Sequence, residues 1–318
     1  MGVTGTLHRR EVLLAGASAA LAASWPVSAK SSPALTFLAL GDWGQRGSIV
    51  QRAVAAQMGR TAEQIGASFV VTVGDNFYGA GVTSTSDSHW QESFESVYVA
   101  PSLQVPWYPV LGNHDYQGSA NPDAQVAYGA LSPRWRMPAR HYVQRIALPG
   151  GRALDLFAFD TTLHLSVKSG EAALRDAQIA WFEPALKASD ADWKLVFGHH
   201  AIFSNGSVHG SNAALITWLK PKLEAAGVQA YICGHDHDLQ HIVDGPLHYI
   251  VSGGGAAPRP VKPKDQWVAG TQFAKGAAGF ATLEIAGDVL KVRWIDTAGT
   301  DLWTAEISRV PATAAQPA

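Results

Sequence analysis

Cysteine is almost missing: Cys233 is the only one in 318 residues, so the chain can form no internal disulfide. It lies inside the apolar run Gln229-Ala230-Tyr231-Ile232-Cys233, which predicts a buried, inert thiol. Charge is sparse as well. Asp, Glu, Lys and Arg make up 16% of the residues, the formal net charge is -2, and the body of the chain holds no lysine or arginine run. That balance excludes a disordered polyelectrolyte and argues against nucleic acid as a partner. The uncharged Ala/Leu stretch that ends at Ala23 is too short to span a bilayer, so no stable membrane anchoring is expected. Apolar residues, at 47%, suffice for a large core.

That stretch follows His8-Arg9-Arg10-Glu11-Val12-Leu13-Leu14, and Val27-Ser28-Ala29 then places small residues where a signal peptidase reads. Residues 1–29 therefore read as an export signal. Its paired arginines are similar to a twin-arginine signal, although Val12 stands at the usual phenylalanine position. Such a signal implies transient contact with the twin-arginine export machinery and a periplasmic or secreted destination. Residues 33–311 read as one domain, and residues 312–318, small and polar, as a disordered tail.

One pattern recurs along the body. Five apolar runs each end in glycine followed by a polar residue: Gly41-Asp42, Gly74-Asp75, Gly112-Asn113, Gly198-His199 and Gly234-His235. Short β-branched and aromatic runs stopped by glycine predict buried strands. Each strand then delivers a metal-competent side chain just past its C-terminal end, where α/β sheets place their sites, and glycine allows the sharp turn.

Helices are predicted between the strands. Residues 48–65 carry Ser48 as N-cap, Ile49, Ala53 and Val54 on one face, and Gly66 as C-terminal cap. Residues 171–188 follow the same period, with Leu174, Trp181 and Leu186 apolar and Pro184 expected to kink or divide the helix. Residues 212–226 form a third, interrupted at Pro221 and closed by Gly227. Residues 280–285 and 289–295 flank Ala286-Gly287-Asp288, a hairpin opening an antiparallel ending. Residues 84–128, loop-rich and carrying Trp90, Trp107 and Tyr116, are expected to wall the cleft. The fold class is mixed α/β, with two stacked sheets and helices outside.

The strand-end residues Asp42, Asp75, Asn113, His199 and His235, with His237 two positions on, supply carboxylate, amide and imidazole donors and no thiolate. Such a set suits Fe, Zn or Mn. Six candidates exceed what one ion takes, so two ions sharing a carboxylate are the simplest fit, as in two-metal phosphoester chemistry. His235 and His237 alternate, so both can face the cluster while Asp236 points elsewhere, to orient a ligand or meet solvent.

In this order, closed by Gly112-Asn113-His114-Asp115 and Gly234-His235-Asp236-His237, the motifs resemble those of the calcineurin-like metallophosphoesterases. Most branches place a histidine two residues after the first aspartate; here Gly44 occupies that position. Tyr78, in Gly74-Asp75-Asn76-Phe77-Tyr78, stands where purple acid phosphatases place an iron-binding tyrosinate. Gln125-Val126-Ala127-Tyr128 with Arg134-Trp135 is similar to the small, mammalian, tartrate-resistant type. The resemblance implies a four-layer αββα sandwich of two mixed sheets. It implies Fe(III) on Asp42, Tyr78 and His237, a second ion (Fe(II), Zn or Mn) on Asn113, His199 and His235, and Asp75 bridging. It further implies hydrolysis of phosphate monoesters by hydroxide generated at the metals, with Asn113, His114 and His209 toward the substrate and His114 and His209 catalytic. A small phosphoester is then the substrate. A phosphodiesterase or nucleotide hydrolase on the same core is the enzymatic alternative, and a non-catalytic metal-binding protein the other. Asp115, His200 and His241 are expected to support or line the cleft, and His89, His141, His164 and His248 to be surface or core residues.

Overall fold

A computed structural model of the chain describes residues 1–2, 34–166 and 170–309. Residues 3–29 of the expected export signal, and the expected tail, lie outside the described residues. In chain order the strands are β1 (Leu35–Leu40), β2 (Phe69–Val73), β3 (Trp107–Val110), β4 (Tyr142–Leu148), β5 (Arg152–Ala158), β6 (Trp193–Phe197) and β7 (Ala230–Cys233). They continue with β8 (Leu239–Asp244), β9 (Leu247–Ser252), β10 (Thr271–Lys275), β11 (Gly279–Ala286), β12 (Val289–Asp296) and β13 (Asp301–Ser308). One sheet has the order β13-β12-β11-β1-β2-β3 and the other β10-β8-β9-β7-β6-β5-β4. Both are mixed: β1, β2 and β3 run parallel while β11 pairs antiparallel with β1, and β5, β6, β7 and β9 run parallel between antiparallel edges.

Side chains on the central strands alternate between two cores. Leu156, Leu195, Phe197, Ile232 and Ile250 share a buried cluster with Phe37, Leu283 and Trp294 of the other sheet. Phe157, Val196, Tyr231 and Val251 turn the opposite way, onto helices α4 (Ala172–Ala188), α5 (Ala213–Trp218) and α6 (Lys220–Ala225). Both faces are thus covered, which is why these strands read as continuous apolar runs. Each such side chain contributes roughly 1.5–3 kcal/mol by leaving water. Cys233 is buried among them and its thiol is pushed up by that burial.

Helix α1 (Ile49–Ile65) starts on Ser48, whose hydroxyl accepts from Gln51 N at 3.3 Å, and ends at Gly66 in the left-handed region. Its buried face is Val54, Ala55, Met58 and Ala62. Ile49, expected on that face, is 89% exposed. Five residues separate it from Val54, about 140° around the helix, so the two cannot point the same way. Helix α4 is not divided at Pro184, because Phe182 and Leu186 on either side are anchored on the sheet and packing overrides the lost N–H. The 212–226 segment does split, at Leu219, where Pro221 fits the first turn of a new helix. The hairpin pairs Ala286 with Val289 around a two-residue turn.

Within residues 84–128, Asn113 and His114 do reach the site, but for Trp90 and Trp107 the expected place in the cleft wall is corrected. Trp90 and Trp107 are 1% and 0% exposed and pack with Trp43, Phe77, Phe94, Tyr98 and Trp135. Helix α2 (Pro122–Tyr128) closes this group, its Tyr128 stacked on Trp90 with centroids 3.5 Å apart. Rings this large bury one another in preference to lining a wet cleft. They form a firm base beneath the loop that follows β2.

The two sheets are stitched at one end. Gly41 N donates to Ser252 O at 2.8 Å, Ser252 Oγ to Ala39 O at 2.8 Å, and Gly255 N to Gly41 O at 3.1 Å. This brings the C-terminal ends of β1, β2, β3, β6 and β7 to one place.

Candidate metal centre

Each of those five strands carries its polar residue just beyond its last paired position. The turns are made differently from the sequence expectation. Of the five motif glycines, Gly74 alone has positive φ; the left-handed residues are Asp42 (φ 58°), Asp75 (φ 47°) and His235 (φ 70°) themselves. Non-glycine residues held there cost about 1–3 kcal/mol each and persist where the surroundings dictate them. Gly234 is required by approach instead: a Cβ there would stand 2.3 Å from Asp42 Oδ2.

The structure brings Asp42, Asp75, Tyr78, Asn113, His199, His235 and His237 together in two groups. In the first, the Tyr78 hydroxyl lies 2.9 Å from Asp42 Oδ1, 2.9 Å from Asp75 Oδ2 and 3.0 Å from His237 Nε2. His237 Nδ1 faces Ala257 O at 2.8 Å, so Nδ1 carries the hydrogen and Nε2 turns a lone pair inward. One phenolic hydrogen cannot serve three acceptors. In the second group, His199 Nδ1 donates to Val73 O at 3.0 Å, which leaves Nε2 as a lone pair. That lone pair lies 3.0 Å from Asn113 Oδ1, 3.1 Å from His235 Nδ1 and 3.4 Å from Asp75 Oδ1. Asp42, Asp75 and His199 each offer a ligand atom within 4.8 Å of the others.

The electrostatics agree. Burial, and for Asp42 the neighbouring Asp75, push both carboxyl groups above the ordinary carboxylate range. Burial holds His199 down to about 3 and His237 down to about 4, the latter helped by the Arg259 charge, and lowers His235 strongly. Burial and the two carboxylates raise Tyr78 far above 10. The imidazoles are therefore neutral and ligand-competent, while the oxygens need positive charge between them. Convergent oxygen and nitrogen lone pairs with no thiolate fit hard to borderline cations, and Asp75, with one oxygen toward each group, fits a pair of them.

His114 and His209 flank this centre from opposite groups. The His114 ring packs on Tyr78 at 4.4 Å, with Nδ1 held by Gly79 O at 2.9 Å and Nε2 4.0 Å from Asp75 Oδ2. His209 is exposed and stacks on His235 at 4.0 Å between centroids. Asp236 is buried and accepts from His209 N at 3.2 Å and Gly210 N at 3.1 Å, so it anchors that loop rather than meeting solvent.

Asp115, expected to support or line the cleft, is fully buried and ties the β2 and β3 loops together. It accepts from Asn76 N (3.0 Å), Phe77 N (3.2 Å), Gly112 N (2.9 Å) and Gln125 Nε2 (2.8 Å). Burial, then the Asp75 charge, raise it to about 7. His200 adjoins the centre, its ring 4.2 Å from that of His235. His241 does not line the cleft: on β8 it is 3% exposed and bonds His248 at 3.0 Å and Trp303 at 3.2 Å. Strand alternation turns it onto the sheet. His89 is buried against Gly44 O and Phe77; His141 packs at a tilt on Trp181 and His164 on Trp218.

Sequence reasoning missed three buried or rim residues. Asn76 Oδ1 accepts from Trp43 and Thr72 while its amide donates to Val110 O and Gln125. Asp160 follows β5, takes the Tyr116 hydroxyl and caps α3 (Thr161–Leu165). It too sits past a strand end, but with Phe159 in place of glycine the pattern hid it. Arg259 donates to His209 Nε2 at 3.1 Å and has no motif around it.

Comparison with known proteins agrees with this geometry. The calcineurin-like phosphoesterase family model matches residues 35–239. Purple acid phosphatase 3 of Arabidopsis thaliana is 36% identical over 292 residues, covering 85% of this chain and 76% of that protein. Human tartrate-resistant acid phosphatase type 5 is 34% identical over 305 residues, covering 88% and 92%. Among solved structures, the purple acid phosphatase PPD1 of yellow lupin seeds has a TM-score of 0.64 at 16% identity, covering 88% and 55%. GAP50, the anchor in the inner membrane complex of Plasmodium, has a TM-score of 0.80 at 24% identity, covering 88% and 90%; both structures speak to the fold alone. By family model, by relatives along most of its length and by fold, the chain belongs to the calcineurin-like phosphoesterases, in their purple acid phosphatase branch.

Proposed function

We propose that the chain is an exported phosphatase that hydrolyses phosphate monoesters at a pair of metal ions. Asp75 carries this reading: its two oxygens face two separate groups of lone pairs that protons cannot reconcile. Asp42, Tyr78 and His237 would hold one ion and Asn113, His199 and His235 the other, with Asp75 shared. A phenol raised so far by burial ionises only against a strong Lewis acid, which favours Fe(III) beside Tyr78. Amide oxygen and two imidazoles suit Fe(II), Zn or Mn in the second place. When bound, the ions supply Lewis acidity, which offsets charge on the phosphoryl oxygens and brings the pKa of water toward neutrality.

The chain's own residues do the positioning. Val73 O and Ala257 O fix the tautomers of His199 and His237. Gly79 O accepts from His114 Nδ1, so Nε2 is the nitrogen turned to the centre, and as the imidazolium the ring would hand its Nε2 proton to the departing alkoxide and return to neutral imidazole. His209 stacks on His235 and would meet the substrate from there. The names of the relatives favour a monoesterase over a phosphodiesterase or nucleotide hydrolase, and the complete set of seven donors disfavours a non-catalytic role.

Assaying metal-loaded protein on monoesters, diesters and nucleotides tests this. Monoesters should be hydrolysed at least tenfold faster per mole of dinuclear protein, roughly the effect of one extra phosphoryl charge neutralised. Faster diester turnover would reassign the substrate, and purified protein without iron or a second metal would end the enzyme reading. Export is supported by Arg9, Arg10 and Val27-Ser28-Ala29, and no helix among the described residues is long and apolar enough to cross a membrane. The reading is a leader over residues 1–29 and a catalytic domain over residues 33–311. Replacing both Arg9 and Arg10 with lysine should retain the protein in the cytoplasm; unchanged periplasmic or secreted yield would rule out the twin-arginine route.

A further inference from the structure

We propose that Arg259 and Lys262 form a cationic rim that selects phosphomonoesters whose leaving group carries a second anion. The proposal rests on the phosphatase reading and names the substrate class for the same site.

The rim is built by the backbone. Arg259 N donates to His237 O at 2.7 Å, which fixes the arginine next to a candidate ligand. Lys262 N donates to Asn205 O at 2.8 Å, Gly206 pairs with Val261 in an antiparallel bridge, and the Ser207 hydroxyl donates to Pro260 O at 2.7 Å. The segment holding both cations is thus zipped to the loop that carries His209. Asp236 pins the other side of that loop through His209 N and Gly210 N. A Cβ at Gly210 would stand 3.2 Å from Lys262 Nζ, so the ammonium reaches over the same loop.

The Arg259 side chain points to the centre. Arg259 Nη1 donates to His209 Nε2 at 3.1 Å, and His209 stacks on His235 at 4.0 Å. The guanidinium is therefore one imidazole away from the centre. Among the described residues neither Arg259 nor Lys262 forms a salt bridge, whereas Arg134, Arg140, Arg152, Arg293 and Arg309 each have a carboxylate partner. Two cations without a carboxylate partner, held beside the centre, attract anions. The phosphoryl group is claimed by the centre itself, so the anion left for the rim belongs to the leaving group. A guanidinium matches a carboxylate or a phosphate oxygen pair equally well, so the shared chemistry is a second anionic group.

Three benzyl phosphates with leaving groups of similar basicity decide this on the metal-loaded protein: the parent, its 4-carboxy derivative and its 4-phosphonomethyl derivative. The wild type should favour the anionic esters in kcat/KM by about tenfold, as for a charge-assisted contact that is partly screened. A larger preference for one arm identifies carboxylate or phosphate as the natural anion. Arg259→Ala should bring the ratio of anionic to parent ester close to one, Arg259→Lys should restore most of it, and Arg259→Asp should invert it. Titration calorimetry with benzylphosphonate and 4-carboxybenzylphosphonate gives a second readout that needs no turnover, with the same loss of preference in Arg259→Ala. A wild-type ratio of one, or a ratio unmoved by Arg259→Ala, overturns the rim. If no ester is turned over, the phosphatase reading fails, and the phosphonate preference alone then decides whether the rim binds anions.

Discussion

The backbone N–H of Tyr78 donates to the carbonyl of Gly44 across 2.8 Å. A Cβ on Gly44 would lie 1.8 Å from Asn76 O and 2.8 Å from Phe77 Cα. The loop after β1 therefore cannot bear a side chain at position 44 while the Asn76-Phe77-Tyr78 segment passes beside it. The missing histidine and the added tyrosine are a single structural choice: the glycine makes the space through which Tyr78 reaches Asp42 and Asp75.

Tyr78→Phe removes the phenol from the first group of donors. On iron-loaded protein it should abolish the visible phenolate-to-iron charge-transfer band. A band of wild-type intensity in the variant would show that another residue is the ligand.

Gly44→Ala should displace the same segment, with a loss of about 1–3 kcal/mol from overpacking. The band should weaken with it, since Tyr78 shifts with its backbone. Because Gly44→Ala already shifts the segment that places the Tyr78 hydroxyl, the double variant with Tyr78→Phe should lose less stability than the two single losses together. Additive losses in urea unfolding would break the link.

Much of the centre could be read along the chain because each of the seven candidate ligands lies on or near a glycine-ended strand, a local signal. The network behind them is not local. Asp115 joins Asn76, Gly112 and Gln125, whose relation exists only once β2, β3 and α2 are packed. The place of Trp90 and Trp107 is not legible, because a ring-rich segment looks the same in sequence whether it lines a cleft or fills a core. Ile49 and Val54 are both apolar, and only the count of residues between them separates their directions. Arg259 carries no motif at all; its meaning comes from the strap that holds it beside His237 and His209.

Asp115→Asn tests that hidden network. The carboxylate accepts four N–H donors, and an amide would turn its own NH2 toward at least one of them. The expected loss is about 3 kcal/mol, the range for breaking buried bonds to a charged acceptor. It should be read as a lower urea midpoint together with weaker metal retention on dialysis. Wild-type values of both would show that the loops hold without Asp115.

Acid stability follows from two histidines outside the proposed ligand set. Burial, then the charge of His199, hold His200 down to about 3, and burial and His248 hold His241 down to about 4. Trp303 donates to His241 Nδ1, so charging that ring would set two N–H groups against each other. Both folded values lie below the unfolded value near 6.5. Their stabilisation is therefore complete above pH 6.5 and is lost as pH falls toward 4 and then 3, by up to about 1.4 kcal/mol per pH unit for each group. Chelated protein should melt at a lower temperature at pH 5 than at pH 7, and His241→Gln should reduce that difference. An equal difference in the variant would exclude His241 as a cause.

His114→Asn separates proton donation from mere packing. The Asn113 and Asp75 positions should survive the change, because His114 binds Asp75 Oδ1 through its backbone N–H at 2.8 Å, which asparagine keeps. What disappears is the nitrogen 4.0 Å from Asp75 Oδ2, the atom able to protonate a leaving oxygen. An alkyl alkoxide leaves poorly without that proton, so alkyl monoesters should lose about 10²–10⁴-fold in kcat, the usual worth of general acid catalysis. A nitrophenolate leaves as the anion and needs no proton, so its esters should lose less than about tenfold. The slope of log kcat against leaving-group pKa should therefore steepen in the variant. An equal loss on both ester classes would assign His114 to substrate binding, and the proton would have to come from elsewhere on the rim.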